Sequence, residues 1–221
     1  EVKSILQYQD SGKTDVDCGA LLEYLTFQNI FTDKTLYENV KLLPAGHYIE
    51  INLCEKHPQL AIRQYWDFHF EEPVNPASKE EYVEELDRLF QQAVRRQLVS
   101  DVEVGAYLSG GIDSGSITAI ASKEIPNIKS FTCGFDLHGV SEFEYGFDER
   151  AKAEYLSHLF QTEHYEVVLK SGDMERCLPE FARHLEEPRV GQSYPNWYAS
   201  KLASKFVKVV LAGTGGDEIF A

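Results

Sequence analysis

Residues 107–116 read Tyr-Leu-Ser-Gly-Gly-Ile-Asp-Ser-Gly-Ser, between an apolar run at 102–108 and a helix-like stretch at 116–123. Gly110 and Gly111 let the backbone turn sharply and present N–H groups to an anion at close range. Ser109 and Ser114 add hydroxyl donors, and the helix that follows points its positive end at the same spot. These residue types in this order suit a phosphate. Asp113 has the wrong sign for one, and fits only if a divalent cation, naturally Mg²⁺, lies between carboxylate and phosphate oxygens. A second glycine-rich stretch, Gly213-Thr214-Gly215-Gly216-Asp217-Glu218, repeats the logic. If the strands ahead of the two loops are neighbours, Asp113 and Asp217 can reach one cation on a triphosphate.

The elements that must position these loops follow from periodicity. Residues 102–108, 128–135, 164–169 and 207–212 read as buried strands, separated by helices near 114–124, 147–160, 172–187 and 193–206. Such alternation predicts an α/β fold, a parallel doubly wound sheet with helices on both faces and right-handed crossovers. Ligands bind at the carboxyl ends of the strands in such sheets, where both glycine-rich loops fall. Ahead of this unit, Ser78 with Glu81 forms a capping box. It opens a helix through Leu98 with Val83, Leu86, Leu89, Phe90 and Val94 on one face. Residues 71–76, acidic and proline-bearing, read as a linker, and the region before them has a different character. There, helical spacing at 17–28 and a short turn of helix at 36–40 give way to a β-hairpin. Its strands are 46–53 and 60–65, with a turn near Lys56.

With 221 residues, 43% hydrophobic, the chain can build a packed core. A net charge of −15 argues against a nucleic-acid surface, which needs basic patches. It does not oppose a single nucleotide site. Cys18, Cys54, Cys133 and Cys177 have no metal-ligand spacing and read as reduced thiols. No apolar stretch is long enough to span a bilayer, so no membrane association and a cytoplasmic location are expected. Because the chain starts at Glu1 and stops inside a motif, it is expected to be a fragment of a longer protein.

Several motifs taken in order resemble one family. Ser109-Gly110-Gly111-Ile112-Asp113-Ser114 is similar to the pyrophosphate loop of the ATP pyrophosphatases. Residues 213–220 are similar to the Gly-x-Gly-x-Asp-Glu-x-Phe element of their glutamine-dependent asparagine synthetase branch. Ser130-Phe131-Thr132-Cys133-Gly134-Phe135, Phe147-Asp148-Glu149-Arg150 and Thr162-Glu163-His164 resemble that branch in order and spacing. Leu42-Leu43-Pro44-Ala45-Gly46-His47-Tyr48 and Tyr65-Trp66-Asp67 resemble the end of its glutaminase domain. The resemblance implies an adenine nucleotide alpha hydrolase-like synthetase domain from residue 73, preceded at 1–72 by the β-rich end of a glutaminase-type domain. It also implies an amidotransferase that adenylates a carboxylate with ATP and Mg²⁺ and then forms an amide with ammonia, from glutamine or supplied free. By position, Ser109, Gly110, Gly111 and Ser114 would hold the β- and γ-phosphates. Asp113 and Asp217 would ligate Mg²⁺, and Leu108, Cys133 and Gly213 would line the adenosine pocket.

The N-terminal cysteine of that family is absent from the chain, so no catalytic residue is assigned. Thr214 stands where asparagine-forming members usually carry glutamate, leaving the acceptor as aspartate or another carboxylate. Two alternatives stay open: an intramolecular amide former resembling β-lactam synthetase, and a nucleotide-binding relative without catalysis. A homodimer also stays open. Weaker site candidates are the acidic cluster Glu142, Glu144, Asp148 and Glu149, and Arg189 with the loop Gly191-Gln192-Ser193-Tyr194-Pro195.

Overall fold

The computed structural model describes residues 1–8, 14–54, 59–138, 148–188 and 193–220. The chain divides into two compact units, Glu1–Pro76 with Ala182–Gly191, and Ala77–Phe181 with Gln192–Ala221.

The first unit contains α1 (Val2–Tyr8), α2 (Cys18–Phe27) and an antiparallel hairpin of β1 (His47–Asn52) and β2 (Gln59–Gln64). Asp17 caps α2 by accepting from the Ala20 N–H at 2.9 Å, and Gln28 closes it in the left-handed conformation. The Glu186 carboxylate accepts from the Val2 and Lys3 N–H groups at 2.8 and 3.0 Å, satisfying the otherwise open start of α1. The helical turn expected at 36–40 is absent. Tyr37 instead bridges Val16, and Asn39 turns the chain with φ 67°. Five residues are too few to offset helix nucleation. The buried Thr35 hydroxyl also offers a competing arrangement, accepting from the Tyr37 N–H and donating to the Val40 carbonyl at 2.8 Å. The hairpin turn expected near Lys56 lies outside the described residues.

The second unit opens with α3 (Lys79–Gln97), whose capping box between Ser78 and Glu81 is formed in both directions. It continues through β3 (Val104–Tyr107), α4 (Ile112–Glu124), β4 (Lys129–Phe135), α5 (Arg150–Phe160) and β5 (Glu163–Leu169). Then follow α6 (Asp173–Leu185), which belongs to this unit as far as Phe181, α7 (Ser193–Ala203), β6 (Val209–Leu211) and α8 (Gly216–Phe220). The four strands pair in parallel in the order β5-β4-β3-β6. The strand period of two then sends neighbouring residues to opposite faces. Ala106 packs with Val94, Ile120, Ala121 and Ile128 on one face, whereas Tyr107 packs with Phe131, Ala203 and Val207 on the other. The sheet is therefore covered on both sides, as the alternating sequence requires.

Two expectations need correction. Burial is concentrated in the central strands: β3 and β4 are largely buried, while the edge strands β5 and β6 keep exposed positions such as Val168 and Val209, with Leu169 the one buried residue between them. The apolar face of α3 is buried only at its C-terminal end. Val94 is in the core and Phe90 borders it, but Val83, Leu86 and Leu89 are exposed.

Candidate functional site

Chain order reverses beside β3. The path β3-α4-β4-α5-β5 moves outward in one direction, and β6 then returns to the other side of β3, with Ala106 opposite Leu211. That makes the gap beyond the carboxyl ends of β3 and β6 the switch point of the sheet. Both glycine-rich loops emerge there. They share a cavity of about 380 Å³ lined by Leu108, Ser109, Gly111, Asp113 and Ser114 from one side and by Gly213, Thr214 and Asp217 from the other. Its size is that of a small-ligand site.

The first loop is closed on itself. The Ser109 N–H donates to Ser114 Oγ at 3.0 Å, the Gly111 N–H donates to Ser109 Oγ at 3.1 Å, and the two hydroxyls lie 2.8 Å apart. The serines thus brace the turn as well as facing the cavity. When Ser114 supplies the proton between the hydroxyls, the proton of Ser109 is left for a ligand oxygen. Gly111 occupies the N-cap of α4 and, lacking a side chain, gives no capping hydrogen bond. The first N–H groups of α4 are therefore presented uncapped, with the dipole behind them.

The second loop is pressed against the first. A Cβ on Gly213 would lie 2.8 Å from the Ser114 nitrogen and 2.9 Å from Asp113 Cβ. One on Gly216 would overlap the Asp113 carboxylate, at 2.6 Å from Oδ1. Glycine at 213 and 216 is what lets Asp113 stand between the loops, and Asp217 faces the same cavity. Among the described residues no group of three or more His, Cys, Asp or Glu side chains is gathered for a metal. Two carboxylates, Asp113 and Asp217, lining one cavity suit Mg²⁺, which keeps waters and is commonly held by one or two carboxylates together with substrate phosphates. They do not form an all-protein cage.

Comparison with known proteins settles the lineage. The Asparagine synthase family model matches residues 85–221. The chain belongs to the asparagine synthase family. It is 30% identical over 221 residues to Bacillus subtilis (strain 168) asparagine synthetase [glutamine-hydrolyzing] 1, covering 100% of this chain and 33% of that protein. A Mycobacterium tuberculosis (H37Rv) protein provisionally named as a glutamine-hydrolysing asparagine synthetase is 32% identical over 209 residues, 94% of this chain and 31% of that one. The chain thus spans about a third of the length of these relatives. Among solved structures, an NMN synthetase from Francisella tularensis is similar with a TM-score of 0.33 and 16% identity. The match covers 61% of this chain and 54% of that one, a likeness too remote to bear on the site.

Leu108 and Cys133 stand where the resemblance puts an adenosine pocket, and both line the cavity. Leu108 is 1% exposed; its carbonyl accepts from the Thr132 hydroxyl and its N–H donates to the Phe131 carbonyl at 3.0 Å. Burial pushes the Cys133 thiol up to about 11, which disfavours the reactive thiolate at neutral pH. The acidic cluster separates into distinct roles. Asp148 is held by Arg150, whose guanidinium keeps its carboxyl below the usual range and also donates to the Phe135 carbonyl at 2.8 Å. That pair ties the end of β4 to the start of α5. Glu149 lines the cavity, and Glu142 and Glu144 lie outside the described residues. So do Arg189, Gly191 and Gln192, while Pro195 lines the cavity from α7.

Tyr107 and Asn196 also line the cavity, and neither is among the site residues expected from the sequence. The alternation of β3 was the available signal for Tyr107. Its hydroxyl bonds Ser200 of α7 at 2.7 Å. Also overlooked was Lys152, whose aliphatic stem lies across Gly110. Among the described residues, no helix is long and apolar enough to cross a membrane.

Proposed function

We propose that this chain carries the nucleotide site of an ATP-dependent, amide-forming ligase of the asparagine synthetase type. Residues 73–221 form the first part of its synthetase domain and 1–72 the end of a glutaminase-like domain. The observation that carries this reading is the pairing of β3 with β6, which brings two glycine-rich loops and two carboxylates to one cavity.

In the proposed reaction a substrate carboxylate oxygen attacks the α-phosphorus of ATP, and the α–β bridging bond breaks with its electron pair leaving on pyrophosphate. Ammonia, from glutamine, then attacks the acyl carbon and AMP departs, giving the amide. Charge builds on the leaving pyrophosphate, where fixed donors act with little reorganisation. Ser109, Gly110, Gly111 and Ser114 and the uncapped start of α4 supply those donors. Asp113 and Asp217 would hold Mg²⁺, which when bound neutralises phosphate charge. Leu108, Cys133 and Gly213 wall the adenosine side and exclude water from it.

Thr214 lines the cavity where asparagine-forming members usually place a carboxylate. That position favours an acceptor other than aspartate, so the test needs several acids. Exchange of labelled pyrophosphate into ATP by the full-length protein, across aspartate and other carboxylates, is expected with at least one acid and lost in Asp113→Ala. Undiminished exchange in that variant would remove Asp113 from the site.

A further inference from the structure

The proposed triphosphate site has a charge problem. Its cavity is lined by three carboxylates, Asp113, Glu149 and Asp217, and among the described residues by no lysine or arginine. One divalent cation does not balance three carboxylates together with a triphosphate. A lysine stands just behind the loop. Lys152 is in the first turn of α5, and a Cβ placed on Gly110 would lie 2.7 Å from its Cβ, 2.6 Å from its Cδ and 3.2 Å from its Cγ. The stem therefore runs over the bare backbone of Gly110, with the ammonium two bonds beyond Cδ.

This placement is enforced from a second point. Leu156, one helical turn further along α5, meets the Cβ position of Gly115 in α4 at 3.4 Å. Residues i and i+4 share a helix face, so Leu156 seated on Gly115 holds Lys152 over Gly110. No other described residue claims the charge. Lys152 is exposed and makes no ion pair or side-chain hydrogen bond with another described residue, unlike its neighbour Arg150, which is committed to Asp148.

We propose that Lys152 is a pyrophosphate-binding residue: its ammonium engages the β- and γ-phosphate oxygens from the α5 side of the loop. The inference rests on the nucleotide-site reading above. It also accounts for Gly110 separately from Gly111, because Gly110 is the position over which the lysine stem must pass.

The test measures binding of Mg²⁺-pyrophosphate, ATP and adenosine to the full-length protein by calorimetry, in wild type, Lys152→Met and Lys152→Arg. Methionine retains the stem packing without the charge. It is expected to weaken pyrophosphate and ATP by about 10- to 100-fold, the range of one hydrogen bond to a charged group. Adenosine affinity should be unchanged, and arginine should recover most of the loss. Raising salt should weaken pyrophosphate binding less steeply in the methionine variant than in wild type. Pyrophosphate bound equally by Lys152→Met and wild type would overturn the role of Lys152 while leaving the loop assignment standing. An equal loss of adenosine would reduce Lys152 to packing. A wild type that binds neither ATP nor pyrophosphate would remove the nucleotide site itself.

Discussion

Gly215 and Gly216 are adjacent, yet replacing each with alanine should fail in opposite ways. Gly216 has no left-handed requirement, but its added methyl would overlap the Asp113 carboxylate. To clear it, Oδ1 must retreat from 2.6 Å to the 3.4 Å of ordinary contact. Such a shift is large beside a Mg²⁺–oxygen bond of ~2.1 Å, which demands near-ideal geometry. The Mg²⁺ dependence of ATP binding should fall by at least about ten-fold, since even residues that only orient a metal ligand cost that much when removed. Stability should barely move. Overpacking costs ~1–3 kcal/mol, but alanine regains ~1 kcal/mol over glycine in a helix. A net loss of ~1 kcal/mol shifts Tm by about 2–4 °C in a domain this size. Gly215 is the reverse case: nothing lies within 4 Å of its Cβ position, but φ is 103°. Alanine there strains the backbone by ~1–3 kcal/mol and touches no ligand group. Calorimetric titration of ATP with and without Mg²⁺, paired with thermal melts of the full-length protein, separates the two. If Gly216→Ala kept the wild-type Mg²⁺ enhancement, Asp113 would not be a metal ligand held between the loops.

Two further outcomes follow from half-buried groups. With its thiol pushed up to about 11, Cys133 should alkylate at pH 8 about 100-fold more slowly than the exposed Cys18 and Cys54, and at a common rate once urea unfolds the chain. Peptide mapping after timed iodoacetamide labelling reads this, and equal native rates would contradict the burial. His164 is buried enough that its pKa is lowered, against the opposing pull of Glu166, and its Nδ1 lies 2.8 Å from the Ser130 hydroxyl. Because the folded value is below the ordinary 6.5, the unfolded chain binds the proton better. Stability present above pH 6.5 is therefore lost as pH falls from 6.5 through the folded value. Urea midpoints at several pH values should show a shallower acid loss in His164→Gln, and identical slopes would exclude His164 as a source.

Much of the second unit was legible because its signals are local. Alternating strand and helix periods, the Ser78 capping box and glycines at strand ends each act within a few residues, and they predict a covered parallel sheet. The juxtaposition of Asp113 with Asp217 was legible only conditionally. Nothing in either loop states that β6 pairs with β3; that depends on the chain returning across the sheet after β5. Burial of edge strands and of the α3 face was misjudged for a related reason. An apolar residue reports what a position can bury, whereas exposure depends on which neighbours arrive. The same limit hid Lys152. In sequence it is one charge in a run of charged residues, 42 positions from Gly110, and the bland reading of such a run is a solvated helix face. The seating of Leu156 against Gly115, together with the burial of Ala153 and Ser157, turns that face toward the loop, so the residue best placed to offset the carboxylates depends on helix register and not on any motif. If that register is the cause, Leu156→Ala should loosen pyrophosphate binding through Lys152 while leaving the loop residues themselves untouched.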